Sequence, residues 1–371
     1  MTVIGVVGLG TMGLGIAQAY AAAGHKVMAT DGHAPARETA LARMHKGLAR
    51  RVAAGKLLSD VMTATLARMH VVDGLAGLQH CDLVIEAIAE NLEAKQALFA
   101  ELEALTGKDT VLATNTSALS VTRMAQGLAR PERLLGLHFF NPAPVMKLVE
   151  LITRHDNAPD AIALARRVTE AAGKTVIECT DRPGFIVNRC ARPFYGEALA
   201  MLEEGRSALE IDAAMLSAGY RLGPFSLIDL IGADINLAAT KGVFDGMGGH
   251  PRYHMFHSLV SQVDSGDLGV KTGQGFLTGV SITPAPNDDI VRRIEATLAN
   301  EAASLLDEGG VEPESIDLAL RLGLNYPRGP FESARKWGFV AIREELTRLR
   351  AHAPKHLEGR YDISPSLATM A

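Results

Sequence analysis

Apolar and polar positions follow two different patterns along the 371-residue chain. The run Val3-Ile-Gly-Val-Val7 is almost wholly apolar, which predicts a strand buried on both faces, as in a parallel sheet. A glycine-rich turn follows at once, residues 16–23 read as helix, and Lys26-Val-Met-Ala-Thr-Asp31 reads as a second strand, closing a βαβ unit. Further apolar strands are predicted at 82–88, 110–114 and 134–140, with helical stretches such as 91–105 between them. This alternation predicts a mostly parallel sheet flanked by helices. Residues 35–70 interrupt it with a long amphipathic stretch carrying Arg37, Arg43, Lys46, Arg50, Arg51 and Lys56, expected as a helical pair. Those cations suit either a solvated helix face or a basic rim for a phosphorylated ligand.

After Asp181-Arg-Pro-Gly184 only helical periodicity remains, and 279–289, with two prolines among small and polar residues, has the composition of a linker. A repeat lies on either side of that linker. Glu197-Ala-Leu-Ala-Met-Leu-Glu-Glu-Gly205, Ile211-Asp212, Gly223-Pro-Phe225 and Arg252-Tyr253 recur in order as Glu301-Ala-Ala-Ser-Leu-Leu-Asp-Glu-Gly309, Ile316-Asp317, Gly329-Pro-Phe331 and Arg360-Tyr361. Ordered recurrence of this kind implies two copies of one helical module. In each copy the glycine is expected to end the first helix and Ile-Asp to open the next. The expected organisation is an α/β domain at 1–184, an all-α domain at 185–279 and a second, shortened all-α copy at 290–371.

Composition narrows the function classes. With 37 Lys and Arg against 42 Asp and Glu the chain carries a formal charge of −5, which gives no whole-surface attraction for nucleic acid. Cys81, Cys179 and Cys190 are too scattered for a disulfide framework or a CxxC metal pair and are expected as buried thiols. The first residues lack a basic leader, and no apolar window is long enough to span a bilayer, so the expected compartment is the cytoplasm.

Gly8-Leu-Gly10-Thr-Met-Gly13 sits between the first strand and the following helix, where GxGxxG has a mechanical meaning. Gly8 permits the tight turn, Gly10 lets backbone approach a pyrophosphate and Gly13 allows close helix–strand packing, with Thr11 and Met12 offering helix N-terminal N–H groups. The expected fold here is a Rossmann-type dinucleotide-binding domain. Asp31, at the end of the second strand, is expected to bind the adenosine ribose and to favour NAD over NADP, although His33 and Arg37 lie close by. An ordinary strand-end turn aspartate is the alternative.

Two segments at strand ends carry candidate chemistry: Asn115-Thr-Ser117 and Gly136-Leu-His138-Phe-Phe-Asn141-Pro-Ala-Pro144. His138 and Glu150 lie equally far from Pro144, so if residues 134–140 and 147–152 pair antiparallel, imidazole meets carboxylate. These segments, together with Glu86-Ala-Ile-Ala-Glu90-Asn-Leu-Glu-Ala-Lys95, Lys147-Leu-Val-Glu150 and Asp181-Arg-Pro-Gly-Phe-Ile-Val-Asn188-Arg, resemble the L-3-hydroxyacyl-CoA dehydrogenase family in order and spacing. The duplicated helical module resembles bacterial members with two C-terminal domains, among them enzymes acting on 3-hydroxybutyryl-CoA and 3-hydroxyadipyl-CoA.

The resemblance implies NAD as cofactor, an acyl-CoA thioester as substrate and no metal. It assigns His138 as general base, Glu150 as its orienting partner, Ser117 and Asn188 as groups bonding the reacting oxygen or thioester, and Asn141 as support for the same loop. Asn115, Glu90 and Lys95 would lie along the cofactor. Other readings stand beside these: His138 as a satisfied core histidine, Ser117 and Asn188 as helix caps, Glu90 and Lys95 as an exposed helix pair. Arg192 reads either as a pocket residue or as a helix-surface arginine. The second helical copy shows nothing matching Asn188-Arg189 and is expected to be non-catalytic, supplying packing that a partner subunit gives to shorter family members; both monomer and homodimer remain open. Two further function classes also remain open, a dehydrogenase of a 3-hydroxy acid lacking CoA and a non-catalytic dinucleotide-binding protein.

Overall fold

In the computed structural model, which describes residues 2–371, the chain divides into two units, Met1–Asp181 and Arg182–Ala371. The first holds eight strands: β1 Val3–Val7, β2 Lys26–Thr30, β3 Met69–Val71, β4 Leu83–Glu86, β5 Val111–Thr114, β6 Leu134–Phe139, β7 Leu148–Thr153 and β8 Thr175–Thr180. They form one sheet in the order β3-β2-β1-β4-β5-β6-β7-β8. Every adjacent pair is parallel except β6 with β7, which run antiparallel. The apolar strands are buried on both faces, with Ile4, Val6, Leu83, Ile85, Leu135 and Leu137 all fully enclosed. Six helices complete the unit: α1 Thr11–Ala22, α2 Ala34–Ala53, α3 Ser59–Ala67, α4 Leu92–Leu105, α5 Val121–Ala125 and α6 Pro159–Ala171.

Helix α1 starts at Thr11 rather than near Ile16. Gly13 and Gly15 read as turn residues by propensity, yet their missing side chains let the first turns approach their neighbours: a Cβ at Gly15 would sit 3.2 Å from Pro144. Helices α2 and α3 are the pair expected over 35–70, followed by the short strand β3.

The second unit is helical: α7 Val187–Cys190, α8 Arg192–Glu203, α9 Ala208–Ser217, α10 Pro224–Ile231, α11 Ala233–Gly246, α12 His257–Asp264, α13 Asp288–Asp307, α14 Pro313–Leu324, α15 Pro330–Trp337, α16 Phe339–His352 and α17 Pro365–Thr369. The repeat maps α8 to α11 onto α13 to α16. Gly205 and Gly309 follow the ends of α8 and α13 at positive φ, +102° and +76°, as helix-ending glycines do. Ile211-Asp212 and Ile316-Asp317 do not open their helices but lie inside α9 and α14. The aspartates cap the next helix instead. Asp212 accepts the N–H groups of Phe225 and Ser226 at 2.9 Å each, and Asp317 those of Phe331 and Glu332 at 2.8 and 3.1 Å. A Cβ at Gly223 or Gly329 would run into these carboxylates, which explains why Gly-Pro-Phe and Asp recur together.

The two copies exchange charges reciprocally. Glu197 of the first is bonded by Arg293 at 2.7 Å, Arg360 at 3.1 Å and the Tyr361 hydroxyl at 3.0 Å, all from the second. Glu301 of the second is bonded by Arg189 at 2.6 Å, Arg252 at 3.3 Å and the Tyr253 hydroxyl at 2.5 Å, all from the first. Both glutamates are fully buried. This corrects one sequence expectation: aligning Glu197 with Glu301 aligns Arg189 with Arg293, so Arg189 has a counterpart and Asn188 alone lacks one. Between the copies, the Tyr220 and Tyr326 rings lie edge to face with centroids 5.1 Å apart, and Phe194 packs against both.

Candidate active site

Gly8 has φ +97°, a conformation that L side chains rarely adopt, and a Cβ there would lie 2.5 Å from the Ala87 carbonyl oxygen. A Cβ at Gly13 would collide with the Gly8 carbonyl, whereas one at Gly10 would meet nothing within 4 Å. Open space therefore lies at Gly10, which is also the N-cap of α1 and supplies no side-chain cap. The N–H groups of the first turn, at Thr11, Met12 and Gly13, are left for a ligand, and the helix dipole favours an anionic one. This cradle fits the pyrophosphate of NAD. Gly8→Ala is expected to raise the KM for NAD at least about tenfold through backbone strain, checked by initial rates at varied NAD; an unchanged KM would refute the assigned turn.

Asp31, just past β2, receives the Leu9 N–H at 2.6 Å and the His33 N–H at 2.8 Å. Its carboxylate is thus fixed beside the glycine turn with lone pairs left to accept ribose hydroxyls. Arg43 donates to the Leu9 carbonyl at 2.8 Å and Arg37 to the Asp31 carbonyl at 2.6 Å. These two cations of α2 therefore hold the turn in place, while Lys46, Arg50, Arg51 and Lys56 are exposed.

His138 and Glu150 are register partners on β6 and β7, and His138 Nδ1 lies 2.6 Å from Glu150 Oε2. Glu150 is fully buried and His138 is 6% exposed. The Phe140 ring covers the imidazole, centroids 4.5 Å apart. Asn115 fixes the same strand end by accepting the Phe139 N–H at 2.9 Å. Because β6 is parallel to β5 and joins the run back to β1, this pair sits at the same strand-C-terminal edge as the glycine turn, where open α/β sheets bind ligands. A carboxylate on Nδ1–H leaves Nε2 as the imidazole's basic atom.

The neighbouring loops hold the other expected residues. Ser117 is exposed, and its N–H donates to Glu90 at 3.0 Å. It does not cap α5, whose cap is Ser120. Glu90 also accepts the Thr116 hydroxyl at 2.5 Å and lies 3.1 Å from Lys95. Burial alone would raise its pKa, but Lys95, Thr116 and the Ser117 N–H outweigh that and hold it below the usual carboxylate range. Glu90 and Lys95 are not an exposed helix pair: Lys95 is 1% exposed, and Glu90 precedes α4. Glu86, which sequence reasoning did not single out, is fully buried and anchors Lys95 at 2.6 Å, accepting Thr114 and the Ile88 N–H as well. The signal was available, a lone carboxylate ending an apolar strand. Asn141 is exposed just after β6. In the second unit, Asn188 is the second residue of α7 and not its cap, a position held by Ile186. Among the described residues no cluster of His, Cys, Asp or Glu could hold a metal ion, the three cysteines are buried and form no disulfide, and no helix is long and apolar enough to cross a membrane.

Comparisons with known proteins agree with this arrangement. Residues 3–182 match the profile of the 3-hydroxyacyl-CoA dehydrogenase NAD-binding domain, and 184–279 and 290–370 match the C-terminal domain of the same family. The chain is 45% identical to the 3-hydroxyadipyl-CoA dehydrogenase of Escherichia coli K12, with 94% of each chain covered. It is 40% identical to the probable 3-hydroxybutyryl-CoA dehydrogenase of Bacillus subtilis, over 73% of this chain and 95% of that one. The crystal structure of 3-hydroxybutyryl-CoA dehydrogenase from Escherichia coli K12 matches with a TM-score of 0.91 at 33% identity, covering 99% of this chain and 97% of that one. A cradle for NAD, a buried histidine–carboxylate pair at the same sheet edge and these matches along the whole length lead to one conclusion: the chain belongs to the 3-hydroxyacyl-CoA dehydrogenase family.

Proposed function

We propose that this chain oxidises an (S)-3-hydroxyacyl-CoA to the 3-oxoacyl-CoA with NAD, using His138 as general base. The observation that carries this reading is the 2.6 Å contact between His138 Nδ1 and the buried Glu150. Glu150 holds the Nδ1–H tautomer and stabilises the imidazolium that forms when Nε2 takes the proton of the C3 hydroxyl. NAD, when bound, supplies the hydride acceptor. The Phe140 ring and the surrounding burial keep water from the imidazole. Ser117, Asn141 and, from the helical unit, Asn188 are assigned to the substrate's reacting oxygen and thioester, fixing C3 for transfer. Glu90, positioned by Lys95 and Glu86, is assigned to the cofactor side. Formation of NADH with (S)-3-hydroxybutyryl-CoA, and none with the (R) epimer, is the direct test; turnover of the free hydroxy acid in place of the thioester would overturn the substrate class.

Asp31 sets the choice of cofactor. A 2′-phosphate would meet its carboxylate at close range, so NAD is expected to be preferred over NADP by at least about tenfold in kcat/KM. Equal rates with the two cofactors would remove Asp31 from this role.

The domains are assigned as 1–184, 185–279 and 290–371, the last two sharing one unit through Glu197 and Glu301. Because each copy answers the buried charges of the other, the second is assigned the packing that a partner subunit would otherwise supply; this supports a monomer without excluding a homodimer, and the cytoplasm is the expected compartment.

A further inference from the structure

Two lysines are buried among the described residues, Lys95 and Lys174. Lys95 meets the carboxylates of Glu86 and Glu90. Lys174, 8% exposed, meets carbonyls instead: its Nζ donates to Ala143 at 2.5 Å and to Met146 at 2.8 Å. Burial pushes its pKa below the ordinary lysine value, and no carboxylate offsets that. An enclosed ammonium is costly unless its donors are met. Here both acceptors belong to one turn, and that turn links the two strands of the His138–Glu150 pair.

The Val145 and Met146 N–H groups both donate to the Pro142 carbonyl, at 2.9 and 3.0 Å, which curls 142–146 into a single turn. Its remaining carbonyls at Ala143 and Met146 converge on Lys174, the residue just before β8. The next carbonyl, of Lys147, accepts the Thr175 N–H at 2.8 Å, so a side chain and the adjacent main chain clip one loop to the start of β8. On its other side the turn lies against α1, where a Cβ added at Gly15 would sit 3.2 Å from Pro144 and 3.3 Å from Ala143. The turn is thus wedged between the helix that opens the cofactor cradle and Lys174. Immediately before it in the chain stand Phe140, whose ring covers the His138 imidazole, and Asn141, which the proposed reaction assigns to the substrate. A shift of the turn would move both.

We propose that Lys174 is a positioning residue for the dehydrogenase reaction: by fastening the Pro142–Met146 turn to β8 it sets where Phe140 and Asn141 stand at the His138 edge of the sheet. This rests on the dehydrogenase reading above, and Lys174 acts through the turn rather than on the substrate. The test compares the full chain with Lys174→Met and Lys174→Arg, each measured for NAD binding by direct titration and for turnover of (S)-3-hydroxybutyryl-CoA. Methionine is nearly as long but leaves both carbonyls unmet. Arginine restores charge and donors, and a cavity of about 300 Å³ lined by Pro144, Gly173 and Lys174 gives its larger head room. In Lys174→Met, kcat per NAD-binding site is expected to fall at least about tenfold, part of the roughly hundredfold loss that a misplacement of about 1 Å can cause. The Kd for NAD is expected to stay within about twofold of wild type, and Lys174→Arg to recover kcat to within about threefold. A role confined to packing would lower the number of NAD-binding sites and leave the turnover of each unchanged. That result, or an arginine variant no better than methionine, overturns the assignment while leaving the dehydrogenase reading intact. If Lys174→Met does not fold, Lys174→Gln, neutral and one bond shorter, leaves at least one carbonyl unmet and is expected to show the same fall in smaller measure; wild-type turnover per site in that variant overturns the assignment equally. Absence of turnover in the wild-type chain overturns the dehydrogenase reading and this assignment with it.

Discussion

Replacing His138 with glutamine is expected to lower kcat on (S)-3-hydroxybutyryl-CoA by about 10²–10⁴-fold, the usual contribution of a positioned general base. Glutamine keeps a polar group within reach of Glu150, so the buried carboxylate retains a hydrogen bond and the sheet edge keeps its packing. What disappears is the ability to hold a proton at the position of Nε2. The loss is therefore expected in kcat and kcat/KM together, with the affinity for NAD unchanged, because the cofactor cradle at Gly8 to Gly13 is built from other strands. Initial rates of NADH formation together with direct NAD titration separate these outcomes. A variant turning over within a few-fold of wild type would leave the histidine as a core residue and nothing more.

The largest effect on stability is expected at Glu197. Truncating it to alanine takes from the buried Arg360 the carboxylate it meets and leaves Arg293 with Glu204 alone, and breaking such a buried network from one side costs about 3–5 kcal/mol. Glu301→Ala is expected to cost a similar amount, since Arg252 loses the carboxylate it meets and the buried Arg189 keeps only Glu308. Urea unfolding followed by the fluorescence of Trp337, the single tryptophan, reports on the unit concerned. A loss below about 1 kcal/mol would mean that water or rearrangement satisfies the arginines, contrary to the cost expected for a dry network. Acidification gives an independent check. Burial pushes the Glu197 carboxyl up, but the charges of Arg360 and Arg293 outweigh it and hold its pKa below the usual value. Its contribution is thus fully present above the unfolded-state value of about 4.3 and is lost as pH falls through the lower folded value. Glu197→Gln is expected to flatten that acid limb.

The elements that were legible in the sequence are those whose signal is local. The strands β1, β4, β5 and β6 are apolar runs buried on both faces, and the expected boundaries lie within two residues of the observed ones. Strand β3 has only three residues and follows directly on a helix, so it leaves no run to detect. Strand β8 pairs on one side only and alternates apolar with polar residues in Thr175-Val-Ile-Glu-Cys-Thr180, a pattern weaker than that of the interior strands. The pairing of His138 with Glu150 was legible because a short loop between two strands fixes the register. The partners of Lys95 and the burial of Arg192 were not. Each depends on which way a long side chain turns inside a packed unit, and neither spacing nor composition encodes that. The same limit explains why Arg189 and Arg293 went unmatched: their equivalence becomes visible only through the glutamates they answer.

Carrying both halves of a twofold-like interface on one chain frees each half to mutate alone. In a dimer of identical subunits any change appears twice and must be tolerated on both sides of the axis. Here the position that is Ala191 in the first copy is Glu295 in the second. Glu295 is fully buried and gathers the Tyr220 hydroxyl and Arg328 at 3.1 Å each, Ser333 at 3.1 Å and the indole N–H of Trp337 at 2.5 Å. Two such carboxylates, one per half, would each demand that full set of donors. Leu227 and Ile231, which occupy the places of Ser333 and Trp337 in the first copy, have no polar atom to offer. One copy thus carries a buried polar clasp at Glu295 where the other carries Ala191 and apolar side chains at the equivalent places.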